Sequence, residues 1–266
     1  MKLKRLLITG AAGGLGRLAR ERLGGLAETI RLSDVVEMTP AGPGEEVMTC
    51  DLGDFERVRE VVEGCDAILH LGGVSVERSF AEISNGNLTG LYHLYEAARK
   101  AGVRRVLFAS SNHAIGFHPR ERMLDADSPF APDSLYGVSK VFGEAVAMLY
   151  WEKFGIETAR VRIGSCFAEP RDHRMLATWL SPDDFVRLCE AVFRAPRLGC
   201  PVIYGASANA ERWWDNSKVG YVGWVPQDSS EAFRAKLDAA MTPPAVDDPA
   251  NRYQGGGFAA AGHYED

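Results

Sequence analysis

Through the first two-thirds of the chain, short apolar runs alternate with longer segments in which apolar positions recur every three to four residues. The runs Leu6–Ile8, Glu46–Cys50, Ala67–His70, Val106–Ala109 and Thr158–Val161 predict strands, with a weaker one at Thr29–Ser33. Between them, Leu15–Leu23, Asp54–Glu63, Leu88–Lys100 and Leu135–Phe154 carry helical periodicity. Strands that are apolar along their whole length are covered on both faces, and strands separated by helices join through right-handed crossovers. The pattern predicts an α/β fold, a Rossmann-type doubly wound parallel sheet.

After Arg162 the alternation loosens. A polar loop with Pro170 and Arg171–Arg174 leads to a helix near Ser181–Arg194 and a strand near Pro201–Tyr204. Trp213, Trp214 and Trp224 follow, among two short helical stretches, and the tryptophan pair is expected in a core. The end of the chain, Thr242–Asp266, is rich in Pro, Gly, Ala and Asp and is expected to be extended or partly disordered. With no internal repeat and no separating linker, residues 1–266 read as one domain. Its parts are a Rossmann core over 1–162, a small C-terminal lobe over 163–241 and a tail over 242–266. The lobe is expected to cap the carboxyl edge of the sheet, where such folds bind ligands.

A net charge of −6 argues against a general nucleic-acid binder, which needs a basic face. The five cysteines, Cys50, Cys65, Cys166, Cys189 and Cys200, are scattered without a Cys-x-x-Cys, so neither a disulfide framework nor a metal site is expected. The start, Met1–Thr9, faintly resembles a signal peptide, but its apolar run is short and enters a glycine turn, which favours a first strand. No apolar segment is long enough to span a membrane, and the expectation is a cytoplasmic protein.

That glycine turn, Thr9–Gly16, is the first chemical signal. Gly10, Gly13 and Gly16 sit between a strand and a helix, where small residues let the backbone, with Gly14 and Leu15, approach a pyrophosphate. The helix amino terminus adds N–H donors and a positive dipole end. The spacing is G-x-x-G-x-x-G, and a tight packing turn would look the same. Asp34, after the second strand, stands where an acid accepts both ribose hydroxyls of NAD and repels the extra phosphate of NADP. Arg17 and Arg31 are nearby cations whose direction the sequence leaves open. Asp51 and Leu52 are expected beside the adenine, and Leu71, Gly72 and Gly73 leave room for the adenosine ribose and pyrophosphate.

Tyr136-Gly-Val-Ser-Lys140 is the second signal. On a helix this spacing puts phenol and ammonium on one face. A lysine cation one turn away, with a positive nicotinamide ring, favours the phenolate, which can then take a substrate proton. Ser111 closes the upstream strand and is expected to hydrogen-bond the reacting oxygen, with Ser110 beside the cofactor. Asn87 reads equally as a water-mediated support for Lys140 and as a helix cap.

Together, Thr9–Gly16, Asp34, Ser110-Ser111 and Pro132-x-x-x-Tyr136-Gly-x-Ser-Lys140 resemble the extended short-chain dehydrogenase/reductase superfamily, over about two-thirds of the chain. Ser110–His113, Arg162–Cys166, Arg174–Trp179, Ala206–Asn209 and Trp213–Ser217 are similar to the bacterial uronate dehydrogenases. The resemblance implies NAD-dependent oxidation of cyclic glucuronate or galacturonate at C1, an aldarolactone product and self-association. It also implies that Ser75, Ser111, Asn112, His113, Tyr136, Ser165 and Arg174 line the sugar pocket, with Gly14 replacing a glutamine of some relatives. A guanidinium at Arg174 suits a carboxylate. Two other readings compete. One is a nucleotide-sugar epimerase or dehydratase, against which Asn112-His113 stands where dehydratases carry acids. The other is a non-catalytic NAD-sensing protein, in which loss of the tyrosine or lysine is common.

Overall fold

The computed structural model describes residues 2–262 and 264. Its first half runs β1 (Leu3–Thr9), α1 (Gly14–Arg22), β2 (Ala27–Asp34), β3 (Glu45–Thr49), α2 (Phe55–Val62) and β4 (Ala67–His70). α3 (Phe80–Ile83) passes through a π-helical turn, Ser84–Thr89, into α4 (Gly90–Ala101). Next come β5 (Arg105–Ser111), a 3-10 turn at Asn112–Ile115, α5 (Leu135–Phe154) and β6 (Glu157–Ile163). The rest supplies β7 (Ser165–Cys166), α6 (Met175–Thr178), β8 (Trp179–Leu180), α7 (Pro182–Arg194) and β9 (Val202–Gly205). Two 3-10 turns, Ser217–Val222 and Ser230–Phe233, precede α8 (Arg234–Ala240), α9 (Pro249–Arg252) and α10 (Gly257–Ala260).

Seven strands form one parallel sheet in the order β3-β2-β1-β4-β5-β6-β9. The chain steps outward from β1 to β3, then returns to lay β4 on the other side of β1. The connections leaving β1 and β4 therefore diverge, and a crevice opens at their carboxyl ends. Alternation along each strand feeds two cores. Leu6, Ile8, Leu69, Leu107 and Val161 pack with Ala19 of α1 and Phe185, Leu188 and Val192 of α7. Leu7, Ile68, Val106 and Phe108 face the other way, onto Val58 and Val61 of α2, Leu94 and Tyr95 of α4 and Ala147 of α5. Burial on both faces favours apolar residues along a parallel strand, which is why these strands read as near-continuous runs.

A third core joins Ile115, Leu124, Ala177, Val202, Tyr204, Trp213 and Trp214 at the carboxyl edge of the sheet. Both tryptophans are buried, as expected. The tail departs from the extended course its composition suggested. It forms α9 and α10, and Gln254, Gly255 and Gly256 between them are buried. Tyr253 pairs with Pro119 in an antiparallel bridge, and the Gly255 amide donates to the Gly116 carbonyl at 2.8 Å. All five cysteines are free thiols. Among the described residues no helix is long and apolar enough to cross a membrane.

Candidate active site

A cavity of about 1170 Å³ occupies the crevice, running from Asp34 and Asp51 past the glycine turn to Ser111, Tyr136, Arg174 and Phe258. The Thr9 hydroxyl and His70 Nδ1 lie 2.7 Å apart and tie the ends of β1 and β4 together across its floor. Burial keeps His70 neutral, with its pKa pulled down to about 3. Gly10 adopts φ +68°, and a Cβ there would stand 2.6 Å from the Leu71 carbonyl carbon. At Gly16 a Cβ would meet the Gly10 carbonyl oxygen at 2.1 Å. The turn from β1 into α1 thus has no room for side chains where it folds back on itself.

The first turn of α1 has no side-chain cap and no acidic residue. Its free amides and positive dipole end suit a diphosphate, and the glycine cradle lets one approach, so these residues fit a dinucleotide. Leu15, Leu52, Leu71, Gly72 and Gly73 line the same wall. Asp34 Oδ2 accepts from the Ala12 amide at 2.9 Å, which holds the carboxylate at the rim beside the turn. Arg31 points away: its guanidinium donates to Glu46 at 2.6 Å and to the Val61 carbonyl at 2.8 Å. Arg17 is exposed on α1 and absent from the cavity wall. The Asp51 carboxylate accepts from the Gly53 amide at 2.8 Å while lining the cavity.

The Asn87 side chain neither caps a helix nor hydrogen-bonds Lys140 directly. Within the π-helical turn, its Oδ1 accepts from the Val74 amide at 2.7 Å, and its Nδ2 donates to the Val74 carbonyl and to Ser139 Oγ, both at 2.9 Å. It therefore pins the loop after β4 to α5, behind the cavity wall rather than in it. Ser75 follows Val74 on that loop and does line the cavity.

Ser134 caps α5, with its hydroxyl accepting from the Gly137 amide at 2.9 Å. Glu77 accepts from the Leu135 and Tyr136 amides at 3.0 and 2.8 Å. A fixed first turn orients Tyr136, and helical spacing brings Lys140 Nζ to 5.3 Å from the Tyr136 ring centroid. The ammonium donates to the Ala109 carbonyl of β5 at 2.9 Å. Burial pushes the Tyr136 phenol up to about 12, against the lowering effect of its hydrogen bond with Ser111. Burial also pulls Lys140 down to about 8. Beneath them, Ser110 donates to Glu144 at 2.6 Å, and Glu144 accepts from Arg162 at 2.9 and 3.0 Å. This buried ion pair locks β5, α5 and β6 under the reacting groups.

The far end of the cavity is built from the lobe and the tail. His113 Nδ1 lies 2.8 Å from the Asp133 carboxylate, and burial holds the imidazole below its usual pKa. Arg174 Nε donates to the Gln254 carbonyl at 2.7 Å, and one terminal nitrogen reaches Ser165 Oγ at 3.5 Å. The other donates to Asn112 at 2.5 Å once the Asn112 amide is oriented to satisfy both of its ends. Asn112 thus lies behind Arg174 and outside the cavity wall, whereas Ser165, His113 and Arg174 form the wall itself. Burial pulls Arg174 down to about 10, which leaves it cationic at neutral pH. The Asp172 and Asp133 carboxylates are near enough to favour its charge, but its hydrogen bonds go to Gln254, Ser165 and Asn112. Cys166 also lines the cavity, with its thiol pushed up to about 12 by burial, so it is no thiolate nucleophile. Sequence reasoning missed Glu77, Asp133, Gln254 and Phe258. Asp133 beside Pro132 was the only one with a motif next to it.

The chain matches the NAD dependent epimerase/dehydratase family over residues 6–196. It is 58% identical to a uronate dehydrogenase of Agrobacterium fabrum over 96% of this chain and 97% of that one. To the uronate dehydrogenase of Pseudomonas putida it is 55% identical, covering 98% and 97% of the two chains. A solved structure of the Agrobacterium tumefaciens uronate dehydrogenase, a Y136A mutant complexed with NAD, superposes with a TM-score of 0.97. That pair is 56% identical, with 99% of each chain covered. The glycine turn and the Ser111, Tyr136, Lys140 group thus stand in a chain that belongs to the NAD dependent epimerase/dehydratase family. Within that family it is a member of the uronate dehydrogenase group.

Proposed function

We propose that this chain oxidises the cyclic form of a hexuronate, glucuronate or galacturonate, at C1 with NAD, and that the product is an aldarolactone. The observation that carries the reading is Arg174, a guanidinium hydrogen-bonded to a carbonyl, a hydroxyl and an amide rather than to a carboxylate, at the end of the cavity opposite the glycine turn. A desolvated guanidinium that no carboxylate pairs directly suits an anion that arrives with the substrate.

Ser111 and Tyr136 hold the C1 oxygen between them, and Tyr136 takes its proton as the C1–H bond breaks. NAD, when bound, accepts the hydrogen and electron pair that leave C1. Lys140 supplies the positive charge that lets the phenol ionise, and would hold the nicotinamide ribose. The oxygen keeps its electrons as the C1=O double bond forms, and with the ring oxygen still attached the product is a lactone. Ser75, His113 and Ser165 are assigned to the sugar hydroxyls and Arg174 to the C6 carboxylate. Asp34 accepts the adenosine ribose hydroxyls, which favours NAD over NADP. Free thiols and nicotinamide chemistry suit a reducing compartment, the cytoplasm.

Self-association belongs to the same reading. Val138, Phe142 and Leu149 are 49%, 36% and 47% exposed along one outer face of α5, with Tyr92 on neighbouring α4 also exposed. An apolar face of this kind suits a second copy.

The test compares glucuronate, galacturonate and glucose as substrates for wild type and Arg174→Ala, following reduced cofactor by absorbance. Wild type should prefer both uronates. The variant should lose about 2–5 kcal/mol of transition-state binding for the uronates, as for a truncated buried charge pair, and far less for glucose. Equal losses on all three sugars would show that Arg174 acts through structure alone.

A further inference from the structure

The glycine run near the end of the chain, Gln254-Gly-Gly-Gly-Phe258, meets the substrate end of the cavity residue by residue. The Gln254 side chain is fully buried. Its Nε2 donates to the Pro119 and Arg122 carbonyls at 3.1 and 2.8 Å, and its Oε1 accepts from Trp214 Nε1 at 2.8 Å. Anchored in this way, its backbone carbonyl accepts from Arg174 Nε. Gly255 lies against Asp133: a Cβ there would come 1.8 Å from the carboxylate oxygen that holds His113. Gly256, at φ +63°, lies against Arg174, and a Cβ would stand 2.4 Å from Cδ and 2.8 Å from Nε. Phe258 stacks on His113 with ring centroids 3.9 Å apart, and lies 6.1 Å from the Tyr136 ring.

We infer that Gln254–Phe258 is a selectivity element of the active site, positioning Arg174 and His113 and supplying an apolar wall for the sugar ring. The inference rests on the uronate reading of the cavity. A backbone carbonyl at Arg174 Nε fixes the guanidinium without neutralising it. A carboxylate in the same place would consume the charge that the substrate anion needs. Asp133 accepts the Nδ1 proton of His113, leaving Nε2 as an acceptor for a sugar hydroxyl, and the stacked Phe258 ring stops the imidazole from turning. Glycine is needed at 255 and 256 because there the backbone, rather than any side chain, touches the charged groups, whereas a Cβ at Gly257 would meet nothing within 4 Å. Phe258 then closes the cavity with a ring suited to the C–H face of a pyranose.

Gly256→Ala, Phe258→Ala and Phe258→Tyr test this, with steady-state kinetics on glucuronate, galacturonate and glucose. NAD affinity by titration calorimetry and thermal midpoints are measured alongside. Gly256→Ala should raise KM for both uronates by about tenfold or more while the glucose KM moves by less than about threefold, a signature of lost carboxylate binding. Phe258→Ala should raise KM for all three sugars at unchanged NAD affinity, and Phe258→Tyr should restore it. A uronate preference that survives in Gly256→Ala, or an unaltered KM in Phe258→Ala, overturns the inference alone. A wild-type enzyme that treats glucuronate and glucose alike overturns the uronate reading and this inference with it. Should Gly256→Ala fail to fold, the Phe258 pair decides.

Discussion

Burial pushes the Tyr136 phenol up to about 12 and pulls the Lys140 ammonium down to about 8, opposite to the charge states that proton abstraction needs. The two groups sit close enough to correct each other, since a phenolate stabilises the ammonium and the ammonium stabilises the phenolate. Their titration therefore belongs to the pair. A base works deprotonated, so oxidation should be lost as pH falls, and because burial raises Tyr136 that loss should begin above neutrality. In a profile of kcat/KM against pH, Lys140→Met should move this limb further alkaline. Tyr136→Phe should abolish it and lower turnover by at least the ~10²–10⁴ expected for a missing general base. Near-wild-type turnover in Tyr136→Phe with the limb intact would assign the base elsewhere. At this scale position was most legible where a motif carries the side chain, as with Tyr136, Lys140 and Asp34, which all line the cavity. It was least legible for Asn87, whose amide serves Val74 and Ser139, because no local pattern reveals a partner 52 residues away.

At the scale of elements, the strands and helices of the first two-thirds follow the hydrophobic pattern closely, and α5 falls at Leu135–Phe154 as the periodicity predicted. The signal is strong there because two-sided burial makes a parallel strand uniformly apolar. The π-helical turn at Ser84–Thr89 was illegible, since it inserts into an otherwise continuous helical period. The tail failed for a different reason. Glycine-rich composition ordinarily marks a flexible segment, but here glycines serve close backbone approach to Asp133 and Arg174, which only the tertiary structure reveals. The same logic at the other end of the chain gives a prediction for α1. In Gly16→Ala the new methyl must displace the Gly10 carbonyl or the helix. It should cost about 1–3 kcal/mol of stability, as overpacking does. NAD affinity should also fall by about tenfold or more, because the shifted turn misaligns the amides that face the diphosphate. Calorimetric titration and thermal melting check the two effects, and unchanged NAD binding would mean that the amides do not set the affinity.

For the whole molecule, one end of the cavity is built by the sheet and the other by the lobe and tail. On the proposed reading, with the carboxylate at Arg174 and the C1 oxygen at Tyr136, the first product should be a lactone. Fast NMR of a turnover mixture should show it before any open diacid, and Cys166→Ala should stay active, since that thiol is held protonated. A diacid that appears first would point to a different route. The exposed stripe Val138, Phe142 and Leu149 belongs to the helix whose other face carries Tyr136 and Lys140. A neighbour resting on that stripe would brace the rod that bears the base. Specific activity should then depend on dilution, falling together with the sedimentation coefficient as protein concentration drops below the dissociation constant, and recovering on reconcentration. A specific activity that stays flat while the particles come apart would mean that each copy works alone.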